Sequence, residues 1–367
     1  MPDVLIFGDT VRSPELRHEI PVSVPDPFVY VERNGTRTAF VGSLEIPRLA
    51  GVDGLDTVPF EELGLDELIG QGLSWHAMTP ELVLRACRRA SVESAFTPRD
   101  FPLELADYLR ANEIEVEAKG ELFDERRRVK TPAELDGIRR AQRAAEKAMD
   151  AIRAELRRDA APTCEKLQTV ASRVFSDEGV IAPDLVLVSS GPQTTVGHEP
   201  GHGPISAGEP IVVDLFPRDP ASGCYADMTR TFCLGEPPEE LVRYHALVRE
   251  ALDVAYASIR PGATGAGAHR AVCDLFAEHG HPTQLSKLPG EVLEDGFFHS
   301  LGHGVGLEVH ELPGLGRSGE AIVAGDVLAV EPGLYRKGFG GCRLEDLVLV
   351  TGDGCEVITD YPYDLAP

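Results

Sequence analysis

Between residues 28 and 42 the chain reads FVYVERNGTRTAFVG, with apolar and polar positions alternating on both sides of Asn34-Gly35. Alternation of period two marks a strand with one buried face, and Asn-Gly tolerates positive φ, so the stretch predicts a β-hairpin. TPELVLRACRRA (79–90) predicts a helix with Thr79 as N-cap and Pro80 in its first turn, and FPLELADYLRANEIEVEAK (101–119) a helix followed by a short strand. Thr131, Pro132 and Glu134 form a T-P-x-E capping box, which predicts a helix continuing to about Leu156. These elements mark a small α/β domain over residues 1–124 and the start of a second domain over 125–367.

The second domain mixes predicted helices, at about 165–178, 239–259 and 266–279, with apolar strand candidates DLVLVSS, PIVVDLF, CYADMTRTFCL, VLAVEPGLY and CRLEDLVLV. Helices and strands do not alternate strictly, so an α+β arrangement with largely antiparallel strands is expected rather than a doubly wound parallel sheet. Several of these strands carry carboxylates: Asp214, Asp227, Glu331 and Glu345. Acidic side chains are rarely buried unless paired or coordinated, so four of them in core strands call for a shared cation.

A further segment, FFHSLGHGVGLEVHE (297–311), holds three histidines among glycines. Gly302, Gly304 and Gly306 would each cost a helix about 1 kcal/mol relative to alanine, so the segment is read as a strand. His299 and His303 then share one face, and the glycine-lined back lets another backbone or a ligand approach closely. His310 falls on the opposite phase and joins them only through a twist or bulge. Four carboxylates neutralise two divalent ions, and the His303 nitrogen favours a transition metal over magnesium or calcium. A dinuclear site with Mn²⁺ or Co²⁺ is expected, with Zn²⁺ or Fe²⁺ as alternatives.

Composition narrows the partners. The chain has 367 residues and a formal net charge of −25, which opposes binding to phosphate backbones and anionic membranes, so neither nucleic acid nor membrane is an expected partner. No internal repeat emerges. The N-terminus lacks a basic stretch followed by a long apolar run, and the expected location is cytoplasmic. The 7 cysteines are scattered without a C-x-x-C pair, which predicts neither a disulfide framework nor a thiolate metal site.

The ordered set D…DMTRT, HSLGHGVGLEVHE, VEPGLY and RLED resembles the metallopeptidase family with the creatinase, or pita-bread, fold, whose members include methionine aminopeptidase, aminopeptidase P and proline dipeptidase. The likeness covers roughly residues 125–360, and the first 120 residues resemble the family's N-terminal domain only loosely. It implies two metal ions held by Asp214, Asp227, His303, Glu331 and Glu345, with Asp227 and Glu345 bridging. It also implies Glu331 as proton shuttle, His299 as donor to the tetrahedral oxyanion, and His310 beside the residue after the scissile bond. A substrate histidine is expected after Ser190-Gly191-Pro192; His198 fits that distance, and His202 is read as a loop residue. The segment DLFPRDPASGCYAD departs from the family by about two extra residues, which a longer hairpin loop would absorb.

Two divalent ions lower the pKa of bound water and so provide a nucleophile near neutral pH. The H-x-x-x-H spacing and the large N-terminal domain resemble the aminopeptidase P and prolidase branch rather than the methionine aminopeptidases. The expected activity is hydrolysis of the N-terminal Xaa-Pro bond of short peptides by an Xaa-Pro aminopeptidase, with Xaa-Pro dipeptidase as the alternative and a homodimer as the assembly. A protein of this fold that binds or acts on a non-peptide ligand is the remaining reading.

Overall fold

The computed structural model describes residues 3–159, 161–182 and 185–367, and the chain divides into two compact units, one ending at Arg127 and the other beginning at Arg128. The first unit is built on a six-stranded sheet of β1 (Asp3–Gly8), β2 (Phe28–Arg33), β3 (Thr36–Val41), β4 (Leu55–Pro59), β5 (Ser94–Thr97) and β6 (Glu115–Ala118), in the order β4-β3-β2-β1-β5-β6. The Asn-Gly hairpin is β2–β3, and Asn34 and Gly35 have φ of 51° and 81°, which gives the turn a twist matching that of the strands. The helix read from Thr79 begins earlier. It spans Trp75–Arg89 with Ser74 as N-cap, and the Thr79 hydroxyl instead donates to the Trp75 carbonyl. Pro80 therefore lies inside the helix, near its N-terminal end, where the unbonded carbonyl belongs to the solvent-exposed His76.

The second unit opens with the helix Pro132–Arg158, whose capping box is complete: Glu134 N–H donates to Thr131 Oγ1 and Thr131 N–H to the Glu134 carboxylate. This helix and Cys164–Asp177 cover a three-stranded antiparallel sheet of β7 (Leu187–Ser190), β8 (Pro210–Leu215) and β9 (Met228–Cys233), burying Met149, Ile152 and Phe175 against Val188, Ile211 and Phe232. The strand read from Asp184 begins at Leu187, and Asp184 lies outside the described residues, as do Met1 and Pro2 of the N-terminal reading. A second helix pair, Glu239–Ser258 and Gly265–Glu278, covers a five-stranded sheet of β10 (Gly302–Gly304), β11 (Glu311–Leu315), β12 (Val327–Val330), β15 (Asp346–Val350) and β16 (Cys355–Val357). Val248, Leu252 and Phe276 pack there with Leu328, Val330 and Val348, and each large apolar side chain so buried contributes roughly 1.5–3 kcal/mol. Between them β13 (Gly333–Arg336) and β14 (Gly340–Arg343) form a separate antiparallel ribbon. Every strand pairing in this unit, among the described residues, is antiparallel. No helix is long and apolar enough to cross a membrane among those residues.

Three strand readings need correction. VLAVEPGLY and CRLEDLVLV are each two strands with a break, and the breaks fall at Glu331-Pro332 and Leu344-Glu345. The residues after Glu331 leave the five-stranded sheet for the ribbon, and those after Glu345 return to it. The segment 297–311 is likewise not one strand: β10 has three residues, and the chain turns back over 305–310 into β11. Glycine is needed here because a Cβ on Gly302 would lie 1.9 Å from the Ala329 carbonyl oxygen, and one on Gly304 would lie 2.3 Å from that of Leu312. The close approach is by neighbouring backbone.

Candidate metal centre

The candidate ligands stand at the edges and breaks of these strands. Asp214 is in β8, Asp227 immediately precedes β9, His303 is the middle of β10, Glu331 follows β12 and Glu345 precedes β15. A bridge between Thr229 and Glu345 joins the two sheets at this point. One ligand atom each from Asp227, His303 and Glu345 lies within 4.8 Å of the others, and His303 Nε2 is 3.8 Å from Asp227 Oδ2 and 3.7 Å from Glu331 Oε1. All five side chains line one cleft of about 510 Å³, together with His198, His299 and His310. Leu185, Leu187, Phe216, Phe298 and Val309 supply its apolar walls.

Burial and mutual repulsion govern the charges. Burial, then Glu345, Asp214 and Glu331, hold the Asp227 carboxyl well above the usual carboxylate range, and burial with Glu331 and Asp214 does the same to Glu345. Burial raises Asp214 too, against the opposing pull of Arg343, and raises Glu331 to about 7. The cluster therefore lacks countercharge. Asp214 Oδ1 is buried with no hydrogen-bond partner among the described residues, while its Oδ2 accepts from Arg343 Nη2 at 2.6 Å. An oxygen-rich set with an unpaired buried oxygen and carboxylates crowded enough to hold protons fits divalent cations. His303 completes the set. Burial and then His310 lower its pKa to about 3, its Nδ1 donates to the Gly304 carbonyl at 3.1 Å, and the Nε2 lone pair is left facing the carboxylates, the usual state of a metal-binding imidazole.

The signs give a pH dependence. A carboxyl whose folded pKa is raised stabilises the metal-free fold below its ordinary pKa near 4.5, and that contribution is lost as pH climbs through about 7. Chelated protein should therefore melt at progressively lower temperature between pH 5 and pH 8 in thermal scans. Glu331→Gln should flatten that slope, and added Mn²⁺ should restore stability more strongly at the higher pH.

The other histidines divide. His310 is exposed and reaches the cluster because the chain turns back after β10: its ring meets that of His303 edge-on, with centroids 4.1 Å apart. His198 is exposed on the rim of the same cleft, whereas His202 points to Glu199 at 3.5 Å and is not part of the lining. His299 is placed differently from its expected role. Burial and then Arg343 keep it neutral, with a pKa of about 3; its Nδ1 donates to the Ser300 carbonyl at 2.8 Å, so Nε2 accepts from the Tyr335 hydroxyl at 3.1 Å. In this tautomer His299 has no proton to give an oxyanion.

Two cleft residues escaped the sequence reading. Arg343 donates to Asp214, to Thr229 Oγ1 at 3.2 Å and to the Tyr335 hydroxyl at 3.3 Å. Burial opposes its charge, but Tyr335, Asp214, Glu331 and Glu345 together hold its pKa well above the usual value. Tyr335 is itself raised to about 12 by burial. The available signal was Arg343 in the otherwise apolar run before Glu345, since a buried arginine demands acceptors.

Two helix pairs over two antiparallel sheets, with the carboxylate–histidine cluster where the sheets meet, define a pita-bread peptidase fold. Residues 136–352 match metallopeptidase family M24, and the chain belongs to that family. It is 31% identical over 246 residues to the probable dipeptidase PepE of Mycobacterium tuberculosis, an alignment covering 65% of this chain and 60% of that relative. It is 30% identical over 292 residues to the Xaa-Pro dipeptidase of Pyrococcus horikoshii, covering 77% and 76%. The chain thus spans about 60% of the length of the mycobacterial relative and about three quarters of the archaeal one. The prolidase from Pyrococcus furiosus superposes with a TM-score of 0.78 at 22% identity over 99% of this chain and 97% of that one, which extends the shared fold to both units.

Proposed function

We propose that this chain is a metal-dependent exopeptidase that hydrolyses Xaa-Pro dipeptides, with two divalent ions, Mn²⁺ or Co²⁺, held by Asp214, Asp227, His303, Glu331 and Glu345. The observation that carries the reading is the neutral His303, its Nε2 lone pair aimed between Asp227 and Glu331 in a cluster short of countercharge. When bound, the ions would supply Lewis acidity and a water of lowered pKa. The protein's own residues supply the rest. An Xaa-Pro bond is a tertiary amide, so its nitrogen has no N–H and must be protonated to leave. Glu331 lines the cleft among the proposed ligands and is the carboxylate placed to carry that proton. The apolar walls exclude water and pack against the proline ring, and His198 and His310 on the rim address the oxygen atoms of the prolyl residue.

Dipeptidase is preferred to aminopeptidase, the first expectation from the sequence, because the named relatives are dipeptidases. Among the described residues Arg343 is the one lysine or arginine in the cleft lining, and each of its three nitrogens already donates to Thr229, Tyr335 or Asp214, which favours the rim histidines as the groups that receive a substrate carboxylate. The test is a panel of Xaa-Pro, Xaa-Ala, Xaa-Pro-Yaa and Met-Ala peptides with Mn²⁺ or Co²⁺. Xaa-Pro should exceed both Xaa-Ala and Xaa-Pro-Yaa by at least about tenfold in kcat/KM, roughly 1.4 kcal/mol of transition-state binding. Preference for the tripeptides would restore the aminopeptidase reading, and no cleavage of any member by metal-loaded protein would leave a non-peptide substrate.

A further inference from the structure

Strand alternation sends neighbouring residues to opposite faces, and two such pairs meet at the candidate metal centre. Glu345 lines the cleft and Thr229 supports it from beside the cleft, where the Thr229 hydroxyl donates to Glu345 Oε2 at 2.6 Å and the Glu345 N–H donates to the Thr229 carbonyl at 3.1 Å. Their successors, Arg230 and Asp346, turn away from it and pair at 2.8 Å, with side chains 1% and 0% exposed. A buried ion pair is tolerable only when its remaining donors and lone pairs are satisfied. Here they are. Nε of Arg230 donates to the Pro362 carbonyl at 2.9 Å, Nη1 to those of Thr229 and Glu345 at 2.9 and 2.8 Å, and Nη2 to Asp346 Oδ1 and, at 2.9 Å, to the Tyr361 carbonyl. Asp346 Oδ2 accepts the hydroxyls of Tyr256 and Tyr363, each at 2.5 Å, and the Tyr363 ring lies 4.5 Å from the guanidinium carbon.

We infer that Arg230 and Asp346 are positioning residues: from behind, they clamp the main chain of Thr229 and Glu345 to the segment Tyr361–Tyr363, and so hold the Glu345 carboxylate in the orientation that receives a divalent cation. The inference rests on the reading of Glu345 as a metal ligand. Its specific content is the choice of acceptors. Two of the carbonyls gripped by Arg230 belong to Thr229 and Glu345, whose side chains hydrogen-bond to each other at the cleft wall, so any loosening of the fork is passed to the carboxylate through one residue of backbone. A lysine would keep the charge, but its donors radiate from a single nitrogen and cannot reach carbonyls on three segments.

The test measures Mn²⁺ affinity of the full chain by competition with a fluorescent chelator, alongside melting temperature. The variants are Arg230→Lys, the double variant Tyr256→Phe/Tyr363→Phe, and Glu345→Gln. Arg230→Lys and the tyrosine double variant should each bind Mn²⁺ about tenfold or more weakly, the range found when partners behind a metal ligand are removed. A lower melting temperature with Mn²⁺ affinity within twofold of the parent would make the cluster a core clip and overturn the inference, provided that Glu345→Gln loses affinity. If Glu345→Gln itself binds like the parent, the ligand reading falls and the inference with it. Should Arg230→Lys fail to fold, the tyrosine pair decides, since it keeps both rings and removes only two hydroxyls.

Discussion

Asp227→Asn is expected to abolish turnover and to lose bound metal, with at least about a hundredfold weaker binding, because this side chain is central to the cluster by both distance and charge. The substitution is nearly isosteric, so it removes a charge without opening a cavity. It also removes a buried charge that Glu345, Asp214 and Glu331 repel, and the metal-free variant should therefore be as stable near neutral pH as the metal-free parent or more so. That pairing of outcomes, a fold kept or strengthened and a function lost, separates a ligand from a core residue. Elemental analysis after purification, a chelation and Mn²⁺ add-back assay, and thermal scans without metal check it. Full activity in demonstrably metal-free parent protein would sink the mechanism.

A second large effect is expected to split two histidines four positions apart. His303→Ala should lower metal occupancy, since the Nε2 lone pair facing Asp227 and Glu331 disappears. His299→Ala should keep its metal yet turn over on the order of a hundredfold more slowly, a loss typical of removing one active-site hydrogen-bonding group. The route differs from the one read in the sequence: losing His299 removes the acceptor of the Tyr335 hydroxyl, and with it the orientation of the group that also meets Arg343. Tyr335→Phe should then reproduce much of the His299→Ala defect in kcat with metal retained. Metal analysis of the three variants beside their kcat values decides, and a metal-depleted His299→Ala would reverse the assignment.

Much of this was legible in the residues. The Asn34-Gly35 turn and the Thr131 capping box are local chemistry, and local chemistry is where sequence patterns speak most directly. Four of the five candidate ligands were marked by acidic residues in apolar runs and the fifth, His303, by its place among the glycines of 297–311, and the structure gathers all five in one cleft. What the pattern could not supply was where strands end. Glu331 and Glu345 lie at breaks because consecutive segments belong to different sheets, and a run such as VLAVEPGLY looks continuous to periodicity. The helix start at Trp75 was missed because Pro80 imitates a first-turn proline. Arg343 and Tyr335 were missed because their meaning lies in partners far along the chain, as in the 129-residue separation of Arg343 from Asp214.

The bridge between Thr229 and Glu345 has a consequence for how the protein is made. Asp214 and Asp227 are synthesised early and lie close together in sequence, but the residue that ties their sheet to the other is 116 positions beyond Thr229. Closing so long a loop costs entropy before any contact repays it, so this joint forms late in folding. A chain still emerging from the ribosome can build the first sheet and its helices without the joint, and it then carries two carboxylates with no imidazole beside them. On the proposed ligand reading, cation capture would thereby report completion, since Glu345 reaches the other carboxylates only when this joint has formed.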